Sequence, residues 1–312
     1  MCAIAGILFK NGRHNKLGMT TGEALTEMLD ATLHRGPDSA GWALYREPLS
    51  DRWRLRFFVD DGTRGEEGIR LIHRRLESSG ARIVRGEREG CTYGLLIQYP
   101  GDLLSLTRNV ERVCKPVSMG RSLDILKDVG QPRELAQRYG ITEFDGTHGI
   151  AHIRLATESG VHPDTSHPFW ASGFADVATV HNGQITNYWI MRRRLERRGM
   201  TFQTENDTEL VAVYLAYRMS EGGSLEEALE SSVQDLDGTF SYLVATRDAI
   251  GYAKDPLAAK PLVVYEDDEL IAVSSEEVGI NRLFPGRSLE TREPPPGTFG
   301  LWKRNDRDGK GA

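Results

Sequence analysis

The sequence predicts an α+β fold built as a layered α/β sandwich, not as a parallel βαβ sheet. Two observations carry this expectation. Strand-like runs and amphipathic helical runs come in groups instead of alternating one for one. Toward the C-terminal end, strand candidates at 239–246, 250–254, 261–265 and 270–274 follow one another with only turn residues between them, the pattern of an antiparallel meander. At 312 residues the chain has room for one large domain or two small ones.

Taken in order, residues 2–9 are nearly all apolar and read as a buried strand. Residues 20–33 read as an amphipathic helix. Thr20 and Glu23 have capping-box spacing, and Leu25, Met28, Leu29 and Thr32 recur at helical intervals. Gly36-Pro37-Asp38 marks a turn across 35–41. From 47 to 145 the character changes. This stretch is charge-rich, mixes strand-like runs at 53–59 and 91–98 with a polar helix at 66–78, and carries no catalytic motif. It reads as an insertion or subdomain. Strands follow at 149–155 and 176–181, then helices at 186–198, 206–219 and 224–236. The main unit therefore spans 1–300, and the polar, Gly-rich stretch 301–312 reads as a disordered tail.

Bulk properties remove several function classes. A net charge of −6 gives no basic footprint for nucleic acid. No apolar run approaches the roughly 20 residues that cross a bilayer, and no signal peptide is visible. Three scattered cysteines, Cys2, Cys91 and Cys114, offer neither a disulfide framework nor a thiolate metal site. The expectation is a cytoplasmic protein that holds no metal and uses no cofactor of its own.

The chemistry begins at Cys2. Removal of Met1 would make this thiol the first residue, so that one residue carries a nucleophile and a free α-amine. An α-amine titrates near about 8 and can act as the thiol's own general base. The plainer alternative is a small apolar residue that begins a strand. Four further segments have the same double reading. Arg35-Gly36-Pro37-Asp38-Ser39-Ala40-Gly41 is a helix end followed by a turn, or a backbone wall beside the nucleophile with Arg35 supplying positive charge. Arg154 ends a strand and is a surface salt-bridge former, or a bidentate clamp for a carboxylate. His181-Asn182-Gly183 is a hairpin turn, or an oxyanion hole made by an Asn amide and a Gly N–H. Asn206 with Glu209 reads as a capping box, which leaves Asp207 as first-turn acid or as an acceptor for an ammonium group. Combined, these parts suffice to hydrolyse a side-chain amide on a free α-amino acid, namely glutamine.

The combination resembles the class II glutamine amidotransferases of the N-terminal nucleophile hydrolase fold. The matching stretches are Met1-Cys2-Ala3-Ile4-Ala5-Gly6, Arg35 through Gly41, His152-Ile153-Arg154, His167-Pro168, His181-Asn182-Gly183 and Glu205-Asn206-Asp207-Thr208-Glu209, in family order. The resemblance implies a four-layer αββα sandwich of two antiparallel sheets. It implies that Cys2 attacks the carboxamide, that Asn182 and Gly183 hold the oxyanion, that Arg154 and Thr157 bind the α-carboxylate and that Asp207 binds the α-ammonium. Arg35, Gly36 and His167 would lie beside them. Two positions depart from the usual pattern: Ala3 stands where the family has Gly, and Leu155 where many members have an aromatic residue.

Within that family the long insertion, Gly146-Thr147-His148-Gly149-Ile150, Ala156-Thr157-Glu158-Ser159 and Asp235-Leu236-Asp237-Gly238 resemble the A subunit of N-methylglutamate synthase and other glutamate-synthase-like amidotransferase subunits. That likeness implies a methylamine-glutamate N-methyltransferase type of complex. Its partner subunits would resemble glutamate synthase domains and carry FMN and iron–sulfur centres. The 47–145 insertion, large and without a catalytic motif, is either a docking or gating element for such a partner or a passive surface elaboration. The competing expectations are another amide hydrolase of the same fold, or a catalytically silent scaffold subunit.

Overall fold

The computed structural model describes residues 2–11, 16–60, 62–155 and 161–305. The chain runs β1 (Ala3–Phe9), α1 (Thr21–Ala31), β2 (Ser39–Tyr45), β3 (Trp53–Phe58), α2 (Gly62–Ser78), β4 (Arg82–Glu89) and β5 (Thr92–Gln98). It continues through α3 (Leu103–Val110), β6 (Pro116–Gly120), β7 (Leu123–Val129), α4 (Pro132–Arg138), β8 (His148–Arg154), β9 (Phe169–Trp170) and β10 (Ala178–Ile185). Then come α5 (Tyr188–Arg197), α6 (Asp207–Ser220), α7 (Leu225–Asp235), β11 (Gly238–Ala245) and β12 (Ala249–Lys254). The last elements are β13 (Val263–Glu266), β14 (Leu270–Ser274), α8 (Glu277–Asn281), β15 (Thr291–Arg292) and β16 (Phe299–Lys303).

Among the described residues three sheets form, and their strand pairs are antiparallel. The largest has the order β15-β13-β14-β1-β8-β2-β7, the second β16-β12-β11-β10-β9, and a small one β4-β5-β3-β6. The two larger sheets lie face to face, and period-two alternation explains why. In β1, Ile4 and Leu8 point into the core between the sheets, while Ala3, Ala5, Ile7 and Phe9 point into a second core under α1. In β11, Leu243 and Ala245 fill the inter-sheet core, and Phe240, Tyr242 and Val244 meet the α5–α7 layer. Both faces of each sheet are thus apolar, so each must be covered on both sides. The result is the four-layer αββα sandwich. Gly6 lies where the sheets approach closely: a Cβ there would sit 2.9 Å from Leu243 Cδ1.

Helix starts follow the local chemistry. The Thr20 hydroxyl accepts from the Glu23 N–H and caps α1, and a full capping box of Ser224 and Glu227 opens α7.

The segment 47–145 divides. Residues 53–120 make the small sheet with α2 and α3, and this sheet shares the inter-sheet core through Leu55, Phe57, Leu95 and Met119. Residues 123–145, expected to be part of the insertion, belong to the main body. Leu123 and Ile125 of β7 face the inter-sheet core and Leu126 faces the core under α1, so β7 extends the large sheet at its edge. The Asp176 carboxylate fastens the turn between the two parts, accepting from the backbone N–H groups of Arg121, Ser122 and Leu123. At the other end of the chain, residues 299–303 are strand β16 paired with β12, so 301–303, expected to open a disordered tail, belong to a sheet. Residues 306–312 lie outside the described residues.

Candidate active site

Cys2 stands at the head of β1, the central strand of the large sheet, half-buried. Its carbonyl oxygen accepts from Arg35 Nε at 2.9 Å and from Asn182 Nδ2 at 3.3 Å. Its Sγ lies 3.9 Å from the Leu155 carbonyl oxygen. Ala3, just beyond it, is fully buried and pairs with Ile153, so the extra methyl is packed under α1.

Arg35 is buried and ion-paired to Glu276, which also lies 3.1 Å from His34 Nε2. Partial burial works against the Glu276 charge, but the hydrogen bond and charge of Arg35 outweigh it and hold the carboxyl below its ordinary value. Gly36 presses on the clamp strand: a Cβ there would lie 2.6 Å from the Arg154 carbonyl carbon and 2.9 Å from the Leu155 nitrogen. The Asp38 N–H donates to the Arg154 carbonyl at 3.1 Å. The 35–38 turn is therefore built against the end of β8.

Arg154 ends β8, is 8% exposed, and donates from Nη1 to Thr165 Oγ1 at 3.0 Å. Thr157, its expected companion, lies outside the described residues.

Asn182 and Gly183 do not form the hairpin turn that an Asn-Gly pair suggests, nor do they end their strand. β10 continues to Ile185, with Asn182 opposite Ser241 and Gly183 opposite Phe240. Gly183 has φ +132°, and a Cβ there would lie 1.8 Å from the Thr239 carbonyl oxygen. Asn182 Nδ2 also donates to Ser275 Oγ at 3.0 Å, and the Ile4 N–H donates to the same hydroxyl at 2.9 Å. Ser275 thus ties the nucleophile strand to Asn182.

Asp207 is the first residue of α6, where the helix N-terminus favours an anion. Its Oδ2 accepts from the Ile185 N–H at 3.1 Å, and its Oδ1 lies 3.5 Å from His181 Nδ1. Burial alone would raise this carboxyl, but His181 and the backbone donors bring it below the ordinary Asp value. The expected capping box is absent. Asn206 caps α6 alone, by accepting from the Thr208 N–H, while Glu209 accepts from the N–H groups of Gln203 and Thr204 and from the Thr204 hydroxyl. Glu209 is 2% exposed, and these bonds reach a loop that short-range spacing does not reveal.

His167 lies behind the clamp, stacked on His152 with ring centroids 4.0 Å apart, and its Nε2 is 3.2 Å from Thr208 Oγ1. Burial, with the positive fields of its neighbours, holds His167 well below the ordinary His value, so the ring is neutral. It contacts the start of α6 and offers no charge to a substrate.

Sequence reasoning missed Ser275, Glu276, His152 and His181 as supports of the site. Glu276 and Ser275 come from the far end of the chain, where no local signal marks them. Among the described residues no group of His, Cys, Asp or Glu is arranged to hold a metal ion, and no helix is long and apolar enough to cross a membrane.

A four-layer αββα sandwich whose central strand begins at a cysteine is the architecture of the N-terminal nucleophile hydrolases. Comparison with known proteins agrees. Residues 152–282 match the family model of a glutamine amidotransferase domain. A putative glutamine amidotransferase of Methanothermobacter thermautotrophicus is 37% identical over 94% of this chain and 97% of its own length. The glutamine amidotransferase-like protein GlxB of Rhizobium meliloti is 33% identical over 97% of this chain and 98% of its own length. Among solved structures, the glutamine phosphoribosylpyrophosphate amidotransferase of B. subtilis superimposes with a TM-score of 0.61 at 19% identity, covering 97% of this chain. This chain spans 47% of that one, about half its length. The chain belongs to the class II glutamine amidotransferase family.

Proposed function

We propose that this chain is the glutaminase subunit of a glutamine-dependent synthase and acts in the cytoplasm. The observation that carries the reading is the convergence on Cys2 of Arg35 and Asn182, with Arg154 ending β8 next to Leu155, whose carbonyl faces the Cys2 thiol, and Asp207 opening α6. The Cys2 thiol attacks the glutamine carboxamide carbon, and the Cys2 α-amine takes the thiol proton. The negative charge develops on the carboxamide oxygen, where Asn182 and the Gly183 N–H stabilise it. Collapse breaks the C–N bond, the ammonium on Cys2 returns the proton, and ammonia leaves a γ-glutamyl thioester. Water then releases glutamate and restores the thiol. Arg154, with Thr157, binds the α-carboxylate, and Asp207 binds the α-ammonium.

The motif likeness supports a partner of the N-methylglutamate synthase or glutamate synthase type, whose subunits carry FMN and iron–sulfur centres and receive the ammonia. In this reading the small sheet, 53–120, is the docking element. The first experiment is on the purified chain. Its intact mass should show loss of Met1, since an acylated nitrogen is not a base. An electrophilic glutamine analogue should modify Cys2 and spare Cys91 and Cys114. Cys2→Ala should abolish glutamine hydrolysis and leave the circular dichroism spectrum unchanged. Full activity with Met1 attached, or modification that leaves Cys2 untouched, would sink the mechanism.

A further inference from the structure

Lys127 is 4% exposed in β7, and no motif pointed to it. Its Nζ donates to the Ser166 carbonyl at 2.7 Å and to the Pro168 carbonyl at 3.0 Å. It also sits 4.3 Å from the centroid of the Phe169 ring and 5.8 Å from that of Phe58. Among the described residues no carboxylate forms an ion pair with it. Burial therefore dominates and pulls the amine down to about 7, against the raising fields of Asp164, Glu209 and Cys91 and with the lowering field of Arg154. A neutral amine keeps two N–H donors, one for each carbonyl.

Those two carbonyls flank His167, and the short loop around it reaches both halves of the candidate site. Thr165 Oγ1 accepts from Arg154, and His167 Nε2 meets Thr208 Oγ1 beside Asp207. Arg154 belongs to the large sheet, whereas Asp207 belongs to the helix layer outside the second sheet. The 163–168 loop is thus a direct strap between two layers. It lies flat on β2 and β7 because Gly41, opposite Lys127, has no Cβ; one there would sit 2.1 Å from the His167 carbonyl oxygen.

We propose that Lys127 is a positioning residue for substrate recognition: by gripping the loop on both sides of His167, it keeps Arg154 and Asp207 at the spacing that one α-amino acid requires. This rests on the glutaminase reading above. Recognition of a rigid pair of charges depends on that spacing, because a clamp displaced by a fraction of an ångström loses its bidentate geometry.

The test uses two reagents on the mature full chain, each read as the rate of modification at the Cys2 peptide. 6-Diazo-5-oxo-L-norleucine carries both α-groups; iodoacetamide carries neither. Lys127→Met should slow the first about 10-fold, the loss expected of one charge-assisted contact, and leave the second within about two-fold. KM for glutamine should rise by a similar factor with kcat little changed. Lys127→Gln, which keeps two N–H donors on a shorter stem, should recover part of the loss, and it serves as the test variant should Lys127→Met not fold. Equal slowing of both reagents, or slowing of neither, overturns the proposal. Wild-type protein that reacts with iodoacetamide at Cys2 but not with the glutamine analogue overturns the glutaminase reading itself, and the proposal falls with it.

Discussion

Asn182 has two donor contacts before any substrate arrives, one to the Cys2 carbonyl and one to Ser275 Oγ. These contacts use both N–H groups of its amide and fix the side chain; in the proposed role the longer one, 3.3 Å to the Cys2 carbonyl, turns to the oxyanion as charge develops, while Ser275 keeps the amide in place. Asn182→Ala should lower kcat roughly 100- to 1000-fold, the range seen when one oxyanion donor is removed. Arg154→Ala and Asp207→Ala should act on substrate binding, each losing about 1.5–3 kcal/mol and so roughly 10- to 150-fold in kcat/KM. Steady-state kinetics separate the two cases, and an Asn182→Ala enzyme altered only in KM would refute the oxyanion role. The residues proposed to touch substrate stand out in the sequence by type, because the chemistry calls for a thiol, an amide, a guanidinium and a carboxylate. Their supports do not. Ser275 bonds Ile4 across 271 positions of sequence, and Glu276 pairs with Arg35 across 241. A serine or glutamate whose role is to hold another residue in place carries no mark of its own.

At the scale of elements, β10 is where local preference and tertiary structure disagree. Asn-Gly is a strong turn signal on its own, yet here the pair sits inside a strand bonded along its length to β11. The glycine is retained for a different reason: it takes φ +132° and leaves room for the Thr239 carbonyl. Gly183→Ala should therefore both destabilise the protein, by at least about 1–3 kcal/mol of backbone strain before the clash is counted, and remove activity by displacing Asn182. Urea unfolding and glutaminase rates measured together check this, and a stable, active variant would contradict the geometry. Elements with a two-sided apolar pattern, such as β1 and β11, were readable from sequence to within a residue or two. β4 was not, because its run Arg-Ile-Val-Arg-Gly-Glu-Arg-Glu is mostly exposed at the edge of the small sheet and shows no apolar alternation. β7 falls inside the charge-rich 47–145 stretch because its apolar residues are mixed with Asp124, Lys127 and Asp128, of which Asp124 pairs with Arg56 and Lys127 grips the 163–168 loop.

At the scale of the whole molecule, the sandwich encloses titratable groups that it keeps uncharged. His148 stacks on Tyr45 with ring centroids 4.4 Å apart and lies 2.7 Å from the Thr246 carbonyl oxygen, and His152 stacks on His167. Burial lowers His148 to about 4 and His152 to about 3, and holds His167 well below its ordinary value. In the unfolded chain all three return to about 6.5. Between about pH 6.5 and 4 the unfolded state therefore binds more protons than the folded one, so stability falls as pH falls. Each histidine contributes up to about 1.4 kcal/mol per pH unit across that window. Glu209 and Glu111, raised by burial, act in the opposite direction and offset part of the slope. Carboxyls held below their ordinary values, such as Asp124 and Asp207, act later, at lower pH. Lys127, with its folded value near 7, changes stability only above this window. The expected outcome is a urea midpoint that falls steadily from pH 6.5 to 4.5, with a net slope of at least about one histidine's share. Glutaminase activity should already decline below about pH 8, as the Cys2 α-amine takes up a proton, so the urea midpoint and not the activity reads these histidines. A midpoint that stays flat from pH 6.5 to 4.5 would mean that these rings take up protons without leaving the core, contrary to the neutral histidine layer between the sheets.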